Sequence, residues 1–340
     1  MTSYITSFCP SDSKIDVNDI VIVIFKNDES MCFNVNDIKN IDFLKEYEEE
    51  IIENVKKGQF FYRINDEKLS AFSLKDFDNK NNYEFIKFLG AGQYGSVYLA
   101  KNKKTGVIGA LKVLKSKSDN EFIIGNILPY NDFVVKYYSL FSDGDNTYYI
   151  FMEYLEGSEL KEAYTNFGEN EIKIAIIDLI ISLSYIHSYG VMHRDIKAEN
   201  VITTKDKNVL IDFGMSEISY TKKRCGTPRY LSPELVRNDV ADYKSDIWAL
   251  GILIFYLIYR KFPHNVDNFK QLAVAILLQK INFPEEEKYE FCNDFILNFI
   301  KFKPQDRISL SDALKHPFLK EIAGSIVIPK TVHPRIVYYK

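Results

Sequence analysis

The feature that most constrains the fold of this chain is a glycine-rich run with an apolar stretch on either side. Gly90, Gly92 and Gly95 follow the stretch that begins at Tyr83, and Val-Tyr-Leu-Ala begins at Val97. Glycine-rich turns also occur in dinucleotide-binding folds, but there a helix follows, whereas this continuation is strand-like. The pattern predicts a hairpin whose turn lets backbone N–H groups approach a phosphate, because glycine has no Cβ.

A single lysine lies in the next strand-like run. Lys112 ends the segment Ile-Gly-Ala-Leu-Lys that starts at Ile108. Taken alone, it has two interpretations: a lysine that extends its charge to solvent from a strand edge, or a cation that faces a phosphate.

Three more motifs follow in order and decide between these interpretations. They are His-Arg-Asp-Ile-Lys-Ala-Glu-Asn from His193, Asp-Phe-Gly from Asp212, and Ser-Pro-Glu from Ser232. With these five ordered motifs, residues 83–319 resemble the eukaryotic-type protein kinase family. The resemblance implies an α+β, bilobal protein-kinase fold: a small antiparallel-sheet lobe, a larger helical lobe, and ATP and Mg²⁺ in the cleft between them.

The resemblance also implies the catalytic residues. Lys112 would hold the α- and β-phosphates of ATP, Asp195 would accept the proton of the substrate hydroxyl, and Asn200 and Asp212 would ligate Mg²⁺. Lys197 matches the cation that serine/threonine kinases place near the transferred phosphate, and Thr227 matches the threonine that they hold against the catalytic aspartate and that lysine. We therefore expect serine and threonine rather than tyrosine as targets.

The nucleotide site is expected from the same resemblance. Adenine would stack between Val97 and Ala110 on one side and Ile202 on the other, beside a hinge at 153–155 with Met152 before it. The expected nucleotide-binding residues are Gly90, Ala91, Gly92, Gln93, Tyr94, Gly95, Ser96, Val97, Ala110, Lys112, Glu121, Met152, Glu153, Leu155, Glu159 and Ile202. Structural roles are expected for Asp246, as an anchor of the catalytic loop, and for an ion pair of Glu234 with Arg307.

The chain departs from the family pattern after Lys112. Glu121 is the candidate partner of that lysine, yet it follows only nine residues later, closer than is usual in the family. Four residues further, where the family has an apolar residue, stands Gly125, which weakens a helix by about 1 kcal/mol relative to alanine. Both facts predict a truncated or weakly held helix. Our hypothesis is that the N-terminal unit packs near it and sets the active geometry; the alternative is an unrelated targeting or adaptor module.

A second departure lies in the activation segment. Many kinases with arginine before the catalytic aspartate are switched on by a phosphate two residues before the cysteine of a Cys-Gly-Thr-Pro motif. That position is Lys223 here. We therefore expect the switch to be absent, or displaced to Thr221, Tyr220 or Ser219, which leaves activity constitutive or controlled in trans.

The substrate preference and the activity itself each have two interpretations. Glu159 and Glu199 match positions that read an upstream arginine, which favours basic protein substrates; alternatively Glu159 bonds the ribose, and Tyr256 replaces an acid that some such kinases carry. The function predicted is ATP-dependent protein serine/threonine kinase, and the alternative is a pseudokinase that binds nucleotide as a scaffold.

The remainder of the chain divides into two pieces. Residues 1–82 are predicted to form an N-terminal α/β accessory unit and linker, with strands at 19–25, 31–35 and 59–64 and a helix over 41–55. Residues 83–319 are the predicted kinase domain, and residues 320–340 a C-terminal tail. A regulator acting through residues 1–82 is a further expectation.

Composition narrows the remaining partners. The 43 basic and 47 acidic residues give a net charge of −4, which argues against nucleic acid as a partner. The longest apolar run, from Ile247 to Tyr259, has 13 residues against the ~20 of a bilayer crossing, so we expect a buried helix and no membrane span. Four scattered cysteines and no secretory signal predict an intracellular, cytoplasmic protein. The excess of Phe, Tyr, Ile, Asn and Lys suggests an A/T-rich genome, that of a protist or of a large DNA virus. If the source is a virus, the expected location is the cytoplasm of its host.

Overall fold

The computed structural model describes about three quarters of the chain. The described residues are 20–24, 30–34, 49, 51–52, 61–65, 68–71, 79–92, 95–114, 121, 124–125, 128, 130–143, 147–218, 225–264, 266 and 268–324. The chain divides into two compact units, which are described one at a time. The first unit comprises 1–130, 135–154 and 336–340, and the second comprises 131–134 and 155–335.

A four-stranded sheet lies in the N-terminal part of the first unit. Its strands have the spatial order β2-β1-β3-β4, with β1 parallel to β3 and the other pairs antiparallel. They are β1 (Ile20–Ile24), β2 (Ser30–Asn34), β3 (Phe61–Asn65) and β4 (Lys68–Ala71). The three predicted strands are confirmed, and β4 was not predicted. Residues 49, 51 and 52 are helical, inside the predicted helix. The domain boundary at residue 82 stays a prediction.

A five-stranded antiparallel sheet forms the rest of the first unit, in the order β5-β6-β7-β9-β8. Its strands are β5 (Tyr83–Gly92), β6 (Gly95–Asn102), β7 (Ile108–Leu114), β8 (Tyr137–Ser142) and β9 (Tyr148–Glu153). The predicted glycine-rich hairpin is confirmed, because β5 pairs with β6 up to Gly92 and Gly95. Gly95 is required there, since a Cβ would overlap the backbone of Val113 on β7.

The two faces of this sheet differ in character. Because directly opposed residues share a face, the register places Val97, Lys112, Ala110 and Met152 on one side. The other face carries a buried, largely aromatic cluster: Tyr83, Ala100, Leu111, Phe141, Tyr149 and Phe151. Packing of this cluster stabilises the pairing of the strands, and the pairing determines which residues lie side by side on the first face.

The second unit is mainly helical and is centred on two long helices, α2 (Glu169–Ser188) and α4 (Lys244–Tyr259). The Glu171 carboxylate accepts a hydrogen bond from the Gly168 backbone N–H at 3.1 Å, which caps the start of α2. Helix α4 is apolar on nearly all sides, as the 13-residue run predicted, and it is almost entirely buried. The remaining helices are α1 (Leu160–Ala163), α3 (Pro233–Val236), α5 (Phe269–Leu277), α6 (Cys292–Phe299), α7 (Leu310–Ala313) and α8 (Pro317–Ala323).

Two small antiparallel sheets position the loops of the second unit. One has the order β10-β12-β13 and the other pairs β11 with β14. The strands are β10 (Gly157–Glu159), β11 (Val191–Met192), β12 (Val201–Thr204), β13 (Asn208–Leu210) and β14 (Glu217–Ile218). Within the described residues, no helix combines the length and the apolar character needed to span a bilayer.

Candidate active site

The loop between β11 and β12 is held in place by a buried aspartate of α4. Asp246 accepts hydrogen bonds from the backbone N–H groups of His193 and Arg194, both at 2.8 Å, and lies 2.9 Å from His187 Nε2. Burial alone would raise the pKa of Asp246, but hydrogen bonding and charge from His187, with the other donors, bring it below its usual value. Arg194 has a positive φ of 70°, which these bonds stabilise. The predicted anchoring contact of Asp246 is thus present.

Asp195 lies at the centre of a polar cluster. Its Oδ2 is 2.6 Å from Lys197 Nζ and 3.0 Å from Asn200 Nδ2. Its Oδ1 accepts hydrogen bonds from the backbone N–H and the hydroxyl of Thr227, at 3.0 and 2.8 Å. Lys197 Nζ also donates to the Thr227 hydroxyl at 3.2 Å. The four residues predicted from the sequence are therefore brought together around one carboxylate, with a cation beside it.

The donor groups of Asn200 and Asp212 suit Mg²⁺ chemically. The Asn200 side-chain NH₂ donates to the Asp195 carbonyl at 2.8 Å as well as to its carboxylate, so the amide oxygen is directed away from that cluster. Asp212 follows β13 with a φ of 64°, and its Oδ1 accepts a hydrogen bond from the Gly214 N–H at 3.2 Å. An amide oxygen and a carboxylate are hard oxygen ligands, the type that Mg²⁺ prefers.

Lys112 forms a buried ion pair in the first unit. Its Nζ lies 2.8 Å from both carboxylate oxygens of Glu121, and the two residues are 8% and 1% exposed. The strand-edge interpretation of Lys112 is therefore wrong, and the predicted pairing with Glu121 is confirmed. Glu121, Ile124 and Gly125 are helical. The residues on either side of them lie outside the described part, so the truncated or weakly held helix remains a prediction.

The expected nucleotide-binding residues are distributed over both units. Val97, Ala110, Lys112 and Met152 share the sheet face described above, and Glu153 ends β9. Gln93 and Tyr94 lie outside the described residues. In the second unit, Leu155 precedes β10, and Glu159 on β10 pairs with Ile202 on β12.

The two glutamates expected to read basic substrates have unequal surroundings. Burial, followed by the charge of Glu199, raises the pKa of Glu159. Glu199 is 2.8 Å from Lys161 Nζ in a partly exposed ion pair. Lys161 therefore already balances part of the charge that a basic substrate would need.

Arg194 has a carboxylate partner in the activation segment. Its Nη1 lies 3.2 Å from Glu217 Oε2, and the side chains are 7% and 15% exposed. The β11–β14 ladder sets this pairing, because Met192 is opposite Glu217. The segment returns to the loop at Gly226, whose φ is 98° and where a Cβ would lie 2.5 Å from the Arg194 carbonyl oxygen. Residues 219–224, which include the expected switch positions, lie outside the described residues.

A second buried ion pair joins distant parts of the helical unit. Arg307 donates to both carboxylate oxygens of Glu234 at 2.7 Å and to the backbone carbonyl of Lys244 at 2.7 Å. Ser245 donates to the same carboxylate at 2.8 Å. The predicted structural ion pair is confirmed.

Sequence reasoning missed three residues that contact the site. His187 contacts Asp246, Glu217 contacts Arg194, and Tyr137 donates to Glu121 at 3.2 Å. None belongs to a motif. A strict alternation along β8 would place Tyr137 on the side of Phe141, but the register shift between Tyr137 and Ser139 moves it to the other face. Nothing in the sequence indicated its orientation or its partner.

Comparisons with known proteins agree with this geometry. The family described as "Protein kinase domain" matches residues 83–319. An Aurora kinase of Encephalitozoon cuniculi is 33% identical over 264 residues, which is 72% of this chain and 96% of that protein. The serine/threonine-protein kinase ppk11 of Schizosaccharomyces pombe is 32% identical over 74% of this chain and 86% of its own length. The mouse serine/threonine-protein kinase Nek5 is 30% identical over 75% of this chain, but this covers only 43% of Nek5.

Proposed function

We propose, since this chain belongs to the eukaryotic-type serine/threonine protein kinase family, that it is an active enzyme which transfers the γ-phosphate of ATP to protein serine and threonine hydroxyls. The observation that carries the proposal is the cluster of Asp195, Lys197 and Thr227, which is fully assembled. A pseudokinase, the alternative, has no need of a carboxylate held at this precision by a cation and two hydrogen-bond donors.

In the proposed reaction, each residue positions a group or neutralises charge. The substrate hydroxyl oxygen forms a bond to the γ-phosphorus, the bond to the bridging oxygen breaks, and ADP leaves. Asp195 receives the hydroxyl proton, while Lys197 offsets negative charge on the transferred group. Bound Mg²⁺, which Asn200 and Asp212 would hold, supplies charge neutralisation on the phosphate oxygens.

Lys112 has the matching role for the nucleotide. Glu121 fixes the direction of its ammonium group, which would meet the α- and β-phosphates of ATP. The carboxylate also balances the charge of the buried ammonium group, which would otherwise be left uncompensated. The shared sheet face of Val97, Ala110 and Met152 offers an apolar surface for adenine beside it.

Phosphate transfer to a generic basic protein tests this function. We expect labelled phosphate from ATP to enter the protein only with Mg²⁺, and phosphoamino acid analysis to show phosphoserine and phosphothreonine. Phosphotyrosine is not expected, because Thr227 contacts Asp195 as the matching threonine of serine/threonine kinases does. Binding of ATP with no transfer to any protein offered would favour the pseudokinase, and phosphotyrosine alone would contradict the substrate class.

We also propose that the active arrangement needs no phosphate on the activation segment. Arg194, the residue that a phosphate would pair with, is already paired with Glu217. A carboxylate on a β-ladder can supply permanently the negative charge that phosphorylation supplies on demand. Lys223 at the usual phosphate position agrees with this proposal.

Charge reversal at Glu217 tests the constitutive version. We expect Glu217→Lys to lower kcat about tenfold or more, because it replaces a charge-assisted hydrogen bond with repulsion of the Arg194 guanidinium. The control is Glu286→Lys, the same charge change at an exposed residue of the same unit, with kcat unchanged. Activity that is lost on phosphatase treatment and regained with phosphate in 216–221, as seen by mass spectrometry, would contradict the proposal.

Substrate charge, regulation and location complete the proposal. Glu159 and Glu199 favour basic protein substrates, and residues 1–82 would receive a regulator. Cys225 and Cys292 are free thiols, which suits a reducing, intracellular location.

A further inference from the structure

Tyr137 lies where the β8 strand meets the Lys112–Glu121 ion pair. It is opposite Met152, so its side chain is on the same face of the sheet as Lys112. The register of β8 shifts by one residue between Tyr137 and Ser139, an irregularity of the kind that redirects side chains. Tyr137 is 6% exposed, and its hydroxyl donates to Glu121 Oε1 at 3.2 Å.

Gly125 makes room for this tyrosine. A Cβ on Gly125 would lie 2.6 Å from Cε2 and 2.7 Å from Cγ of the Tyr137 ring, closer than real contacts allow. In a helix, residues four apart share a face and are separated by about 6 Å along the axis, a distance comparable to the reach of a tyrosine side chain from its Cβ to its hydroxyl. The ring therefore crosses the helix at Gly125 while its hydroxyl reaches Glu121, one turn away.

The hydroxyl has an electrostatic role at this position. Glu121 is 1% exposed, and a buried carboxylate is costly unless hydrogen bonds satisfy its oxygens beyond the ion pair itself. Lys112 contacts both oxygens, and Tyr137 adds a further hydrogen bond from a different element. A carboxylate that is bound by both a lysine and a tyrosine of the sheet has less rotational freedom than one bound by the lysine alone.

We propose that Tyr137 is a positioning residue for phosphate transfer: its hydroxyl, seated on Gly125, holds Glu121 in the orientation that directs Lys112 to the nucleotide. The inference rests on the proposed function, because it takes ATP as the ligand that Lys112 contacts. Gly125 is then required for packing, and the helix is held at this turn by a side chain of β8.

The principal test is Tyr137→Phe, which deletes the hydroxyl and retains the ring. We expect kcat/KM for ATP to fall about tenfold, the typical value of a hydrogen bond to a charged group, while KM for the protein substrate is unchanged. The matched control is Tyr138→Phe, because Tyr138 is the next residue on β8 and is 38% exposed. We expect wild-type kinetics from the control. Equal kinetics for wild type and Tyr137→Phe would overturn the inference.

A double-variant cycle separates positioning from a structural role. If Tyr137 acts through the Glu121 carboxylate, Tyr137→Phe should have little further effect on kcat/KM in a Glu121→Leu background, which offers no oxygen to the hydroxyl. Additive losses would contradict the inference, since they would mean that the hydroxyl acts elsewhere. Gly125→Ala should lower both the thermal midpoint and kcat/KM. Adding Tyr137→Ala removes the ring atoms that overlap, so it should lower the midpoint less in the Gly125→Ala background than in wild type, yet leave kcat/KM low because the hydroxyl is absent.

Nucleotide binding keeps this inference separate from the proposed function. If the wild-type chain transfers no phosphate, the proposed function fails, and the same variants are compared by their Kd for Mg²⁺-ATP. Weaker binding in Tyr137→Phe than in Tyr138→Phe would support the positioning role of Tyr137, and equal binding would overturn it.

Discussion

Asp195→Asn is expected to abolish measurable phosphate transfer while leaving ATP binding intact. The substitution removes the proposed proton acceptor, and general-base catalysis contributes roughly 10²–10⁴-fold to a rate. The asparagine retains one oxygen that can accept from Lys197 or Thr227, so the loop geometry should survive. The measurement is kcat for phosphate incorporation into the basic protein, together with the Kd for Mg²⁺-ATP.

The control for this variant is Asp206→Asn, the same chemical change at an exposed aspartate of the turn between β12 and β13. We expect both of its constants to match wild type. Transfer at the wild-type rate by Asp195→Asn would remove Asp195 from the catalytic role. If ATP binding weakens as transfer falls, the variant disturbs the loop. The role of Asp195 is then measured by kcat at ATP concentrations that saturate the variant.

The motifs of the catalytic loop could be predicted because their functional residues lie close together in the sequence. Asp195, Lys197 and Asn200 lie within six residues, and a short loop held by Asp246 cannot keep them far apart. The Lys112–Glu121 pair was also predicted, despite its short separation, because the family resemblance calls for a glutamate after this lysine and Glu121 is the best candidate.

The packing around that pair could not be predicted. Helix propensity marks Gly125 as a weakness, but the reason for glycine is the ring of Tyr137, a residue of another element. Likewise, Glu217 contacts Arg194 only because β11 pairs with β14 and brings the two side chains together. Both contacts join segments whose proximity depends on the tertiary fold. The sequence of either segment alone does not predict that they meet.

Arg307→Ala should destabilise the helical unit by about 3–5 kcal/mol, the usual cost of leaving one member of a buried ion pair without its partner. Glu234 is 4% exposed and Arg307 2%, so water cannot replace the lost contact. The measurement is the free energy of unfolding by denaturant. The control is Arg237→Ala, because Arg237 and Asp239 form an exposed pair whose loss should cost less than about 1 kcal/mol.

The pH dependence of stability gives the same ion pair a second test. Burial raises the pKa of Glu234, but the hydrogen bonds and charge of Arg307 outweigh this and lower it below the ordinary value. A carboxyl with a lowered pKa in the folded state contributes stability above its unfolded pKa of about 4.3 and loses it as the pH falls through the folded pKa. Wild type should therefore lose stability below about pH 4 more steeply than Glu234→Gln, which has no carboxyl to protonate there. Parallel pH profiles would mean that Glu234 contributes no ionisation-linked stability.

Because replacing both members of the ion pair with apolar residues removes the buried charges together, Glu234→Leu with Arg307→Met should lower the free energy of unfolding less than Arg307→Ala alone.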